Sequence, residues 1–145
     1  MGLDMYLTNE IYIGAKYKHR EVTGKIELFQ GKNPVAIDLS KVSSITEDVG
    51  YWRKANQIHK WFVDNVQGGE DDCQEHYVDY EQLLQLKALC EKVLETKDAS
   101  LLPPQDGFFF GGTEISEYYF QDLKDTIEII DGLNEGGNYY YRASW

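Results

Sequence analysis

One stretch of this 145-residue chain gathers side chains able to do chemistry together: Gly50-Tyr51-Trp52-Arg53-Lys54-Ala55-Asn56-Gln57-Ile58-His59-Lys60-Trp61-Phe62. Read as a helix from Tyr51 to Val66, at about 100° per residue, it sets Ala55, Ile58, Phe62 and Val66 on one arc, with Trp52 at its edge. His59 falls inside that apolar arc, and Arg53, Asn56 and Lys60 fan along the adjacent flank. The strip Trp52, Arg53, Asn56, His59 and Lys60 suits an anionic, ring-bearing ligand. Arg and Lys meet phosphate or carboxylate. Trp stacks a ring, and Asn and His hydrogen-bond a base or ribose. The plain alternative is a core histidine held by a backbone carbonyl, beside solvated cations. Trp61 projects to the far side with Lys54, Gln57 and Asp64. Exposed there it marks a protein contact; otherwise the N-terminal loop lids it.

A second stretch is Phe108-Phe109-Phe110-Gly111-Gly112-Thr113. Gly111 and Gly112 let backbone N–H groups approach a ligand, and a following helix start offers further N–H groups to an anion. No Gly-Lys-Ser/Thr follows, so it is not a phosphate-binding P-loop. The alternative is a buried strand and turn. Cys73 and His76 are three apart, and His59 and Cys90 stand elsewhere in the chain, but Cys90 sits on an apolar stripe where a thiol packs. No zinc set is expected. Glu70-Asp71-Asp72 lacks the spaced oxygen ligands of a calcium loop and reads as a solvated run. Neither cysteine has an activating His beside it. No catalytic residue, metal or cofactor is assigned.

The elements that must position these residues follow from periodicity. Leu3, Met5 and Leu7 alternate with Asp4, Tyr6 and Thr8, and Ile11 to Ile13 extend a half-buried strand. Residues 14–24 read as a loop or ragged strand end. Lys25–Gln30 and Val35–Leu39 form a hairpin around Gly31-Lys32-Asn33-Pro34. Val42–Val49 reads as an extended link. Gly68-Gly69 ends the first helix. Cys73–Val78 is a short strand or loop. Asp79 caps a second helix with Gln82 as capping-box partner; its stripe is Leu83, Leu86, Cys90, Val93 and Leu94. Phe108–Phe110 reads as a short strand. Ser116 or Thr113 caps a third helix to about Leu133, with a stripe of Tyr119, Phe120, Leu123, Ile127 and Ile130. Tyr139–Ser144 is a last strand. Without a βαβ rhythm this is α+β, one domain over residues 1–145, with about three helices on a mainly antiparallel sheet that includes both chain ends.

Charge narrows the partners. Lys and Arg total 14, Asp and Glu 25, a net charge of −11. This argues against direct binding to nucleic acid through a basic face, because phosphate neutralisation needs cations. No apolar run spans a membrane, and no basic stretch precedes an apolar one at the start, so no signal peptide is expected. Two cysteines make no disulfide framework. Aromatics reach 14%, more than a small core absorbs, and the surplus points to a homo-oligomer, most simply a two-fold dimer.

Three segments carry a resemblance along nearly the whole chain: Met1-Gly2-Leu3-Asp4-Met5-Tyr6-Leu7, the Gly50–Trp61 stretch, and Gly107-Phe108-Phe109-Phe110-Gly111. Together they resemble a family of small bacteriophage and prophage proteins that often carry the label phosphoglycerate kinase. The chain is far too short for a two-domain kinase and has no matching phosphate site. The resemblance implies a viral origin and brings no catalytic residues; with the intracellular reading of the composition, the host cytoplasm is the expected location. By analogy with phage accessory proteins, two functions are set against each other. One is binding and sequestering a small nucleotide-like immune signal without cleaving it, through Trp52, Arg53, Asn56, His59, Lys60, Gly111 and Gly112. The other is an acidic surface that blocks a host nuclease by mimicking DNA. A third reading, a hydrolase using His59 as general base, requires a carboxylate on the imidazole.

Overall fold

The computed structural model describes residues 2–14 and 26–145. Strand β1 (Asp4–Tyr12) is followed by a small hairpin of β2 (Leu28–Gln30) and β3 (Asn33–Val35). Then come β4 (Ser44–Arg53), α1 (Asn56–Asn65), β5 (His76–Val78), α2 (Tyr80–Thr96), α3 (Glu117–Asp131) and β6 (Tyr139–Ser144). The main sheet has the order β4-β1-β6-β5. Each of its neighbouring pairs is antiparallel, and β1 and β6 bring the two ends of the described chain to its centre. The architecture is α+β, as the patterning implies.

Alternation decides which side of the sheet is covered. Leu3, Met5 and Leu7 are fully buried, as are Tyr139 and Tyr141 on β6. They meet Ile58 and Phe62 of α1, Leu83 and Leu86 of α2, and Leu123 and Ile130 of α3 in one core. Phe62 stacks on Tyr141, ring centroids 3.8 Å apart and nearly parallel. On the opposite side Tyr6 and Tyr51 pair across strands, Arg142 lies over the Tyr6 ring, and Tyr77 meets Tyr140.

Several boundaries differ from the sequence reading. The first helix starts at Asn56 rather than Tyr51, because Tyr51, Trp52 and Arg53 are paired with Tyr6, Met5 and Asp4 in the sheet. Lys54, at φ +58°, turns the chain out of the strand. Val42–Val49 is not a link: from Ser44 it belongs to β4. The hairpin is shorter than expected and turns at Gly31-Lys32, with Asn33 and Pro34 already in β3. Phe108–Phe110 is a turn and not a strand. Part of the expected loop at 14–24, residues 15–24, lies outside the described residues. Asp79 and Gln82 form the capping box, Ser116 is the α3 N-cap, and β6 spans Tyr139–Ser144. Among the described residues no helix is long and apolar enough to cross a membrane.

Candidate functional site

Helix α1 packs on β6 through the Phe62–Tyr141 stack and contacts α3, and seven of its ten residues are buried. That placement decides what its polar side chains do, since buried polar groups need partners. Asn56 is 2% exposed. Its Nδ2 donates to the carbonyls of Phe110 (3.0 Å) and Gly112 (2.9 Å), and its Oδ1 accepts from the Gln105 amide (3.0 Å). Asn56 is therefore a bracket holding the 105–112 loop, and its amide is not free to read a ligand.

His59 is fully buried. Its Nε2 meets Asp71 Oδ2 at 2.8 Å and its Nδ1 meets the Tyr141 hydroxyl at 2.7 Å. Phe110 lies at right angles to its ring, 5.2 Å between centroids. Burial, with the nearby Asp71 and Cys73, pushes the Tyr141 phenol well above its ordinary value. The phenol keeps its proton, and in the tautomer whose Nε2–H donates to the Asp71 carboxylate the hydroxyl donates to Nδ1. Asp71 also accepts from the Trp145 indole at 3.1 Å. The carboxylate that a His59 general base requires is present. Both ring nitrogens are nevertheless occupied by protein partners, and the ring is fully buried, so neither nitrogen faces a cleft.

Trp52 does not face a ligand. It is 4% exposed, and its indole Nε1 donates to Thr126 Oγ1 at 2.9 Å. The β1–β4 pairing turns it inward beside Met5. Trp61 is buried at 6% and so marks no protein contact. It lines a cleft with Leu101, Leu102 and Pro103; the N-terminal loop expected to lid it lies largely outside the described residues. Lys60 lies in that same cleft and pairs with Asp64 at 2.7 Å. Gln57, expected on the exposed side, is buried and donates to the Tyr119 carbonyl and to Asp122.

Of the expected ligand residues, Arg53, Gly111 and Gly112 do converge. They line a cleft of about 410 Å³ with Lys54, Ser116 and Tyr118. Arg53 and Lys54 make no ion pair among the described residues. Gly111 has φ +87°, and a side chain there would press on Lys54 Cβ at 3.2 Å. The loop thus lies directly on the lysine stem. Ser116 caps α3 without a side-chain cap hydrogen bond, which leaves the first-turn amides of a 15-residue helix without a capping side-chain oxygen to donate to. Tyr118 is 84% exposed at that turn.

Glu114 and Asp122 add carboxylates to the same cleft. Burial raises the Asp122 carboxyl to about 6 from 3.8, with repulsion from Asp125 adding and the Gln57 hydrogen bond opposing. The folded state therefore favours protonated Asp122. That contribution to stability is complete below 3.8 and is lost as pH rises through about 6. Asp122→Asn keeps the shape and the Gln57 contact. It is expected to stabilise the protein by about 1 kcal/mol near neutrality, once solvent screening is allowed for. Melting curves should show the gain at about pH 8 and little of it below about pH 4.

The acidic run is solvated only in part: Glu70 and Asp72 are exposed, whereas Asp71 is half-buried. Asp71 is engaged by His59 and Trp145, and Asp72 Oδ1 accepts from His76, Gln67 and the Gln74 amide. The His76 hydrogen bond holds Asp72 below its ordinary value. Burial drives the Cys90 thiol up to about 12, which makes it packing material. Among the described residues no group of three or more His, Cys, Asp or Glu side chains is placed to hold a metal. No protein-family model, curated protein or solved structure matches the chain.

Proposed function

We propose that this chain binds a small phosphorylated, ring-bearing molecule of nucleotide type in the cleft between the end of β4 and the start of α3. One observation carries the reading. In a chain of net charge −11, Arg53 and Lys54, unpaired among the described residues, meet Gly111, Gly112 and an uncapped helix start across a single cleft. Arg53 is the bidentate partner for a phosphate and Lys54 a second point charge. First-turn amides of α3 add N–H donors. Tyr118 takes the stacking role that buried Trp52 cannot fill. Asn56 and His59 act from behind, by fixing the loop, and Lys60 is not part of the site. The chain is read as a binder, a reading supported by the hydrogen bonds that hold His59, the general base of the hydrolase alternative. The resemblance to phage and prophage proteins makes host signal nucleotides the first ligands to try.

The experiment is a thermal-shift screen of the full chain against mono-, di- and cyclic nucleotides. A ligand at about 100 times its dissociation constant adds about 2.7 kcal/mol of stability, a shift such a screen detects. Arg53→Ala is expected to weaken the hit about 10- to 100-fold, the loss of a charge-assisted hydrogen bond. It should leave the melting temperature of the free protein unchanged, because Arg53 is exposed. Affinity should rise as pH falls through about 6, where Asp122 gains its proton and stops opposing the anion. A screen without a hit, or a hit indifferent to Arg53→Ala, overturns the reading. Conversion of the nucleotide would show an enzyme instead.

A further inference from the structure

On the other side of the 105–112 loop lies a second cleft, of about 310 Å³, that shares no lining residue with the first. Its walls are aromatic. Phe108, Phe109, Phe110 and Trp145 line it, and its charged groups are the carboxylates of Asp71 and Asp106. Phe108 and Phe109 stand at right angles, 4.7 Å between centroids. Phe110 and Trp145 are also steeply inclined, at 6.0 Å and 69°.

Two details make this more than an apolar groove. Asp71 is fixed in orientation, because Trp145 Nε1 donates to its Oδ1 and His59 Nε2 to its Oδ2. A carboxylate held among rings is an electrostatic anchor that cannot swing away into water. Phe108 is 95% exposed, a large apolar side chain left in solvent at the rim. Its neighbour Phe109 is pinned by the Leu3 amide on its carbonyl at 3.0 Å, and the Phe110 amide closes the turn onto the Gly107 carbonyl at 3.1 Å. The backbone of the loop therefore sets where Phe109 and Phe110 stand beside the cleft.

Aromatic faces carry negative quadrupole potential and attract weakly hydrated cations, most of all quaternary ammonium groups. Two carboxylates and no basic residue in the lining give the same sign. We infer that this cleft binds a small organic ammonium compound, with the alkylammonium head among Phe108, Phe109, Phe110 and Trp145 and its charge facing Asp71. The inference is independent of the anion-binding cleft and survives if that one proves empty.

The test is a calorimetric titration of the full chain with choline and with its neutral isostere 3,3-dimethylbutan-1-ol. Choline should bind saturably, and the isostere at least about tenfold more weakly. Phe108→Ala, which alters a solvent-exposed side chain, should weaken choline about three- to tenfold with an unchanged melting temperature. Arg53→Ala should not affect it. Absence of saturable choline binding up to about 10 mM, a range well above typical ligand affinities, overturns the inference. So does equal binding of the neutral isostere, which would mark a plain apolar groove. Binding of a trimethyllysine peptide without binding of choline would also overturn it, in favour of protein recognition.

Discussion

Replacing His59 by alanine is expected to lower the unfolding free energy by about 3–5 kcal/mol, a large part of what a domain of this size has. The imidazole is the single link between the Asp71 carboxylate and the Tyr141 phenol. Removing it leaves a largely buried carboxylate without its charge-assisted donor and a buried hydroxyl without an acceptor. It also opens a hole beside Phe110, whose ring rests against the imidazole at 5.2 Å. Tyr141→Phe should be milder, about 1–2 kcal/mol, because it strands one acceptor and keeps the stack on Phe62. Denaturant unfolding at constant pH checks both. If His59→Ala loses less than about 1 kcal/mol, the ring is not the buried bridge described here. A catalytic histidine behaves differently, since its removal costs activity and little stability. The two readings of His59 thus separate in one melting experiment.

The fold was legible because its signals are local and strong. Alternation at Leu3, Met5 and Leu7, the Asp79–Gln82 capping box and the tyrosines of β6 each specify an element by themselves. The start of α1 was misread for a physical reason. Tyr51, Trp52 and Arg53 fit a helical wheel with Ala55 and Ile58, but their partners are Tyr6, Met5 and Asp4, far away in the chain. A strand pairing outweighs a helical period when it buries Trp52 and gives its indole a partner in Thr126. The same long-range pairing turned the stretch after Val42 from a link into the edge strand of the sheet.

The site was legible in part. Arg53 and the Gly111-Gly112 pair meet as expected, although Arg53 arrives from a strand and not from a helix. Lys54 was assigned to the far side, because no sequence rule anticipates a lysine at φ +58° between strand and helix. Asp71 was missed as the partner of His59. The signal for it lay in Gly68-Gly69: both glycines have positive φ, +67° and +85°, and the Gly69 amide bonds back to the Val63 carbonyl. A chain that reverses so sharply after a helix brings the next residues back along it, and the next residues are Glu70, Asp71 and Asp72. Glu70 and Asp72 stay exposed, and Asp71 is the residue that the reversal carries inward. Within the run Asp71 is held by His59 and Trp145, and Asp72 by His76 and Gln67.

Asn56 separates scaffolding from binding. Asn56→Asp is expected to destabilise the protein more than Asn56→Ala at neutral pH, by about 3 kcal/mol or more against wild type. Alanine removes one acceptor and two donated bonds. Aspartate keeps the acceptor for the Gln105 amide but points a second carboxylate oxygen at the carbonyls of Phe110 and Gly112, where Asn56 Nδ2 now donates. Two acceptors at a donor's distance repel, and the burial of the group denies the charge any water. Stability of the aspartate variant should therefore recover as pH falls and the carboxyl gains a proton it can donate to one carbonyl; the alanine variant should show no such recovery. Because the 105–112 loop walls both clefts, each Asn56 variant should weaken nucleotide and choline binding together. Arg53→Ala should touch only the first and Phe108→Ala only the second. Equal stability of the two Asn56 variants across pH would mean that the loop is not held by this side chain. The shared loss of binding would then need another cause.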